Sequence, residues 1–225
     1  MVTQSDGQIL AVDGGDDIKL WQNLQSPPEW QWGDVLNDGA SIRDIAAGDS
    51  CSVFGTRRGH VFLLTSDRRV CQLNKGPRSV SGTDTADEIT RVAFDGSRWA
   101  VSGNRRGEIL LFDVTRIGSD DMAERCRIAA HTGPTNSVAI TSDGMMIASG
   151  GEDGVVRFWH REGDQLVLWT EWDNFANPLQ QLEFSPDDSR LYVACREERG
   201  LRILQMNKLD RLYRDYGCLT DALGE

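Results

Sequence analysis

Histidines, cysteines, paired carboxylates and paired arginines are the residues of this chain that could act on another molecule. The histidines stand far apart, at His60, His131 and His160. The cysteines, Cys51, Cys71, Cys126, Cys195 and Cys218, contain no C-x-x-C pair. A zinc site needs closely paired ligands of these types, so no metal site is expected, and reduced, mostly buried thiols are. Asp16-Asp17 and Glu152-Asp153 could serve general acid–base work or hold a divalent cation. Both pairs sit in turn-like stretches of separate units, where an aspartate already has a turn-forming role. With no nucleophile–base pair and no phosphate-binding glycine loop, no catalytic residue and no cofactor is assigned.

The arginines are the more specific signal. Arg57-Arg58 recurs as Arg105-Arg106, and Arg196 and Arg199 follow near the end. Guanidinium forks take carboxylates and phosphates through two parallel hydrogen bonds. On one surface, these six would dock an acidic or phosphorylated segment of another protein. The whole chain of 225 residues carries a formal charge of −11, which argues against a nucleic-acid partner. No apolar run approaches the roughly 20 residues of a membrane helix, and the start lacks a secretory signal, so a cytoplasmic, membrane-free setting is expected.

Whether the arginines share a surface depends on what carries them. The stretch Gly150-Gly-Glu-Asp-Gly-Val-Val-Arg-Phe-Trp159 reads as a strand end, a tight turn and a second strand. The same Gly-x-x-x-Gly frame occurs at 103–112 and 55–64, with fainter copies ending at Trp21 and Leu204. The frame therefore ends at positions 21, 64, 112, 159 and 204. A second marker keeps the same phase: turn aspartates at 6, 49, 95, 143 and 187. Each unit reads as four short strands, such as 137–140, 145–149, 155–159 and 165–169. A four-stranded sheet cannot bury both its faces, so the units must stack, and radial stacking gives a propeller.

These units resemble WD40 repeats of a β-propeller. The fold expected is all-β, with about five blades at 1–40, 41–86, 87–134, 135–178 and 179–206, and a short amphipathic helix and tail at 207–225. In the fourth unit, His131, Ser149, Asp153 and Trp159 match the family's buried hydrogen-bonded tetrad, which the resemblance makes structural. The terminal Asp of the family survives only in Phe112-Asp113; His160, Gln22, Thr65 and Gln205 replace it elsewhere. Arg58 and Arg106 replace the turn Asp, so units two and three should rest on packing of Val53, Phe62, Trp99 and Val101. The first unit retains only Val2-Thr3-Gln4 for its opening strand, and the last ends at its third. The polar stretch 76–88 reads as a long loop, and Trp30, Trp32, Trp169 and Trp172 as outer-strand residues.

The closing residues resemble the ends of WD-repeat regions in large bacterial signalling proteins, which often carry an upstream kinase. On that resemblance the chain is the C-terminal part of a longer propeller protein. It contains neither a His-Arg-Asp loop nor Asp-Phe-Gly. The leading reading is a non-catalytic protein–protein interaction scaffold. The alternative is a propeller enzyme or ligand-binding propeller that uses its central channel.

Overall fold

The structure is a computed structural model. It describes residues 41–75, 87–117, 123–173, 175–197 and 200–206, with the backbone of four strands between residues 2 and 32. Arg199, Asp16-Asp17, Cys218, most of the 76–88 loop and the expected helix at 207–225 lie outside the described residues.

Five antiparallel sheets follow one another along the chain. The first holds β1 (Val2–Thr3), β2 (Ile9–Val12), β3 (Ile18–Trp21) and β4 (Trp30–Trp32). The second holds β5 (Ile42–Ala47), β6 (Cys51–Thr56), β7 (Val61–Thr65) and β8 (Val70–Gln72). The third holds β9 (Ile89–Phe94), β10 (Trp99–Asn104), β11 (Glu108–Asp113) and β12 (Glu124–Ala129). The fourth holds β13 (Thr135–Ile140), β14 (Met146–Gly151), β15 (Val156–Glu162) and β16 (Gln165–Trp172). The last has three strands, β17 (Leu179–Phe184), β18 (Arg190–Cys195) and β19 (Arg202–Gln205). Each sheet pairs its strands in chain order, and β5, β9, β13 and β17 pack side by side as the inner strands. These are the blades of a β-propeller. The first unit's opening strand is as short as expected: the two residues of β1 pair with β2.

The period-2 alternation of each strand decides which neighbour each side chain meets. In β11, Leu110 and Phe112 join a core with Val53, Val61 and Ile89 of the second and third blades. Ile109 and Leu111 point the other way, toward Val138, Ile147 and Trp159 of the fourth. Middle strands are therefore covered on both faces, and every residue of β6, β10 and β11 is buried. Phe62 departs from the expectation. It is half-buried and stacks on Phe54 with ring centroids 5.3 Å apart, while Val53, Trp99 and Val101 are core.

The repeated glycines have two jobs. Gly59, Gly107 and Gly154 have φ of 83°, 83° and 73°, in the left-handed region that favours glycine. A Cβ at each would also lie 2.7, 2.2 and 2.8 Å from the carbonyl oxygens of Asp87, His131 and Phe175, in the loop entering a blade. The turn aspartates build local structure: the Asp95 carboxylate accepts from the Ser97 and Arg98 amides, and Asp143 accepts from Met145 N–H. Asp187 accepts from Ser185 and Ser189, and these bonds hold its pKa at about 2.

Candidate partner-binding face

The β6–β7, β10–β11, β14–β15 and β18–β19 turns emerge at equivalent places. In each, the first turn residue donates its amide to the carbonyl just before an inner strand. Arg57 bonds Ser41, Arg105 bonds Glu88, Glu152 bonds Pro134, and Arg196 bonds Pro178. The arginine pairs thus sit on one face of neighbouring blades, as their spacing predicts.

Their partners differ. Arg57 and Arg58 are exposed and form no ion pair among the described residues. Arg105 lies 3.5 Å from Glu88 and is half-exposed. Arg106 is turned inward, its Nε donating to Asp87 Oδ1 at 2.7 Å. Arg196 reaches Glu152 at 3.2 Å across the gap between the last two blades.

A second set of side chains on this face is invisible to the repeat frame. The inner strands β5, β9, β13 and β17 each have a β-bulge near their start, where the register slips by one residue. The extra residue is Arg43 in β5, Thr90 in β9, Asn136 in β13 and Gln180 in β17. Bulges re-aim side chains at barrel rims. All four line one cavity of about 690 Å³ at the end of the inner strands, joined there by Arg91, Arg105, Glu152 and Arg196. Arg43 donates to Glu88 at 2.8 Å, Arg91 lies 3.5 Å from Asp44, and Asn136 donates to Glu152 at 2.8 Å.

His131, Ser149, Asp153 and Trp159 are brought together in the fourth blade. His131 Nδ1 is 2.9 Å from Asp153 Oδ1, and its Nε2 is 2.8 Å from Ser149 Oγ. Trp159 Nε1 donates to the same hydroxyl at 2.9 Å. A proton on Nδ1 lets neutral His131 donate to Asp153 while Ser149 accepts from Trp159 and donates to Nε2. The Arg157 Nη1 that lies 2.8 Å from Nδ1 donates instead to Asp153 Oδ2. Burial lowers the His131 pKa and outweighs the Asp153 charge that raises it. For Asp153, burial raises the pKa, but the hydrogen bonds from Arg157 and His131 outweigh it and hold the carboxyl below its ordinary value. The Arg157 guanidinium, 2.9 Å from Asp153 Oδ2, was not anticipated from the sequence.

The other blades fill the same junction with different chemistry. Asp87 and Phe175 occupy the place of His131, each with its carbonyl against the preceding blade's turn glycine. In the third blade the pair is inverted in charge, with Asp87 on the loop and Arg106 on the turn. Ser102 stands where Ser149 stands in the next blade; its buried Oγ has no partner among the described residues. In the fifth, the Arg202 guanidinium lies 4.7 Å over the Phe175 ring. Asp113, the one retained terminal Asp, is fully buried and accepts from Arg98 at 2.7 Å and from the Thr115 hydroxyl and amide. Burial opposes its ionisation, but these bonds dominate and bring its pKa to about 2.

A family model for the WD domain, G-beta repeat, matches residues 124–160, the segment that contains the tetrad. That segment is similar to a WD40 repeat. The chain is 38% identical over 79 residues to the small ribosomal subunit protein RACK1z of Arabidopsis thaliana, covering 35% of this chain and 23% of that protein. It is 30% identical over 118 residues to eukaryotic translation initiation factor 3 subunit I of Lodderomyces elongisporus, covering 50% of this chain and 33% of that one. A longer match, 25% identical over 200 residues, links it to Protein FIZZY-RELATED 3 of Arabidopsis thaliana, covering 86% of this chain. The chain thus spans between about a quarter and two fifths of the length of these relatives.

Among the described residues, no group of three or more His, Cys, Asp and Glu is placed to hold a metal ion. No described helix is long and apolar enough to cross a membrane.

Proposed function

We propose that this chain is a non-catalytic scaffold for protein–protein interaction, engaging partners through the face that carries its arginine-bearing turns. The observation that carries this reading is the common placement of Arg57, Arg105 and Arg196, each fixed by an amide-to-carbonyl bond to the start of an inner strand. Blades stacked through buried cores give such turns little freedom, so their side chains keep a defined spacing. Two of the relatives are by name parts of larger assemblies, a ribosomal subunit and an initiation factor. Acidic or phosphorylated segments are the partners that guanidinium groups on this face would favour. The tetrad of His131, Ser149, Asp153 and Trp159 is on this reading structural, because its groups are mutually satisfied and inward-facing. Membership of a longer, kinase-linked regulatory protein belongs to the same proposal, on the resemblance of the closing residues alone; the upstream coding sequence tests it.

The test is pull-down with Arg57→Ala, Arg58→Ala and Arg105→Ala combined, leaving Arg106 in its pair with Asp87. Loss of the partners retained by the wild type is expected. Unchanged recovery would retire the face.

A further inference from the structure

Resting on the scaffold reading, the geometry points to the cavity at the end of the inner strands as a binding site for an oxyanion-bearing side chain of a partner peptide, with Glu152 as its internal competitor. Two features make it a built site rather than a chance depression. The bulges of β5, β9, β13 and β17 deliver Arg43, Thr90, Asn136 and Gln180 into one space, so the same backbone irregularity is used four times to aim polar groups inward. The first turn residues then add Arg105, Glu152 and Arg196 to the wall.

The chemistry is donor-rich. The guanidinium-bearing side chains of Arg43, Arg91, Arg105 and Arg196 are 37%, 38%, 48% and 55% exposed, open enough to accept a new partner. The carboxylates that hold Arg43, Arg91 and Arg105 are the more buried members of each pair: Glu88 is 8% exposed and Asp44 19%. Glu88 takes Arg43 at Nε and Arg105 at Nη1, and Asp44 takes Arg91 at Nη1. A planar guanidinium fork carries further N–H groups that a ligand can engage.

Glu152 is different. It is 38% exposed and stands at the turn position that is arginine in the three other described blades. One of its oxygens takes Arg196 and the other takes Asn136. It thus occupies two of the donors that an incoming carboxylate or phosphate would use. A ligand displaces Glu152 from Arg196, and the site's affinity is set by that exchange. A phosphorylated side chain and a cluster of glutamates present the same oxyanion chemistry, so the test must separate them.

The probes are fluorescein-labelled Gly-Ser peptides of about twelve residues, long enough for segment recognition. One bears a central phosphoserine, one two adjacent glutamates, one neither. Binding is read by anisotropy at low and physiological salt. We expect the anionic peptides to bind, the neutral one not to, and the affinity to fall as salt rises. Stronger binding of the phosphoserine peptide identifies phosphate as the source; stronger binding of the glutamate peptide identifies carboxylate. Glu152→Gln should tighten anionic binding about fivefold, and Gln180→Glu weaken it about as much, from one charge near contact distance in a water-exposed site. Equal urea midpoints for both variants show that the effects are not loss of fold. No binding of either anionic peptide by wild type and Glu152→Gln would overturn this site while leaving the scaffold reading intact. So would binding that ignores both substitutions but is lost in Arg57→Ala/Arg58→Ala, which would place the contact on the outer turn. Failure of the pull-down with anionic peptides still bound would instead sink the scaffold reading.

Discussion

Replacing Ser149 by alanine tests how the fourth blade is held together. The Ser149 hydroxyl is fully buried and bridges His131 Nε2 at 2.8 Å and Trp159 Nε1 at 2.9 Å. Alanine fits the space but leaves an imidazole nitrogen and an indole N–H without a partner, in surroundings that exclude water. Each of the two orphaned buried groups costs about 1–3 kcal/mol, so a loss of about 2–6 kcal/mol is expected. The protein supplies its own control. Ser102 is the equivalent serine of the third blade, and its buried Oγ bonds nothing among the described residues. Removing it leaves no orphan and relieves a buried polar atom, so Ser102→Ala should lie within about 0.5 kcal/mol of the wild type or above it. Urea unfolding followed by circular dichroism and tryptophan fluorescence reads both. With m of about 2 kcal/mol/M, Ser149→Ala should lower the midpoint by about 1–3 M and Ser102→Ala leave it in place. Equal midpoints for the two variants would refute the reasoning.

Three further outcomes follow from the same geometry. Because the folded-state pKa of His131 lies below its ordinary value of about 6.5, its contribution is fully present above that pH. Stability should therefore fall as pH drops below about 6.5, and His131→Gln should flatten that part of a pH series of urea midpoints. Asp113→Ala removes the acceptor for Arg98 and Thr115 and should cost about 2 kcal/mol, since half-exposed Arg98 can turn to water. The depressed Asp113 pKa is stabilising at ordinary pH and lost only as pH falls through about 2, so this cost should be constant between pH 5 and 8. A Cβ at Gly103 would lie 2.7 Å from Thr135 Cγ2 in the neighbouring inner strand, so Gly103→Ala should lower the melting temperature, with about 1–3 kcal/mol of overpacking. Gly163 has open space around it, and Gly163→Ala meets only its φ of 61°; a larger loss there would contradict the blade-contact argument.

The repeat was legible because two turn chemistries recur in phase, and turns are where residue type is most tightly bound to backbone geometry. Gly107 must be glycine twice over, for its φ of 83° and for the His131 carbonyl against it, so it marks the frame clearly. The tetrad positions were legible for a similar reason: mutually satisfying buried polar groups admit few residue types. What was hidden is what the frame does not fix. Asp87 lies 19 residues from Arg106, and nothing in the turn sequence says that the third blade carries its ion pair with the charges exchanged. The bulges left only a faint trace. Ile89 and Val92, or Leu179 and Leu182, are buried inner-strand residues three apart, where an unbroken strand would space them by two or four. Counting that phase slip would have found Thr90 and Gln180, and with Ile42 and Ile45 also Arg43.

The most direct test of the scaffold reading is site-specific photo-crosslinking of the intact chain in its native lysate. A photoreactive side chain is placed at Arg57 on the turn face and, separately, at exposed Met145 on the opposite turns. The account predicts discrete protein adducts from position 57 that excess anionic peptide suppresses, and none from position 145. Adducts from position 145 alone, or none from either position, would contradict it.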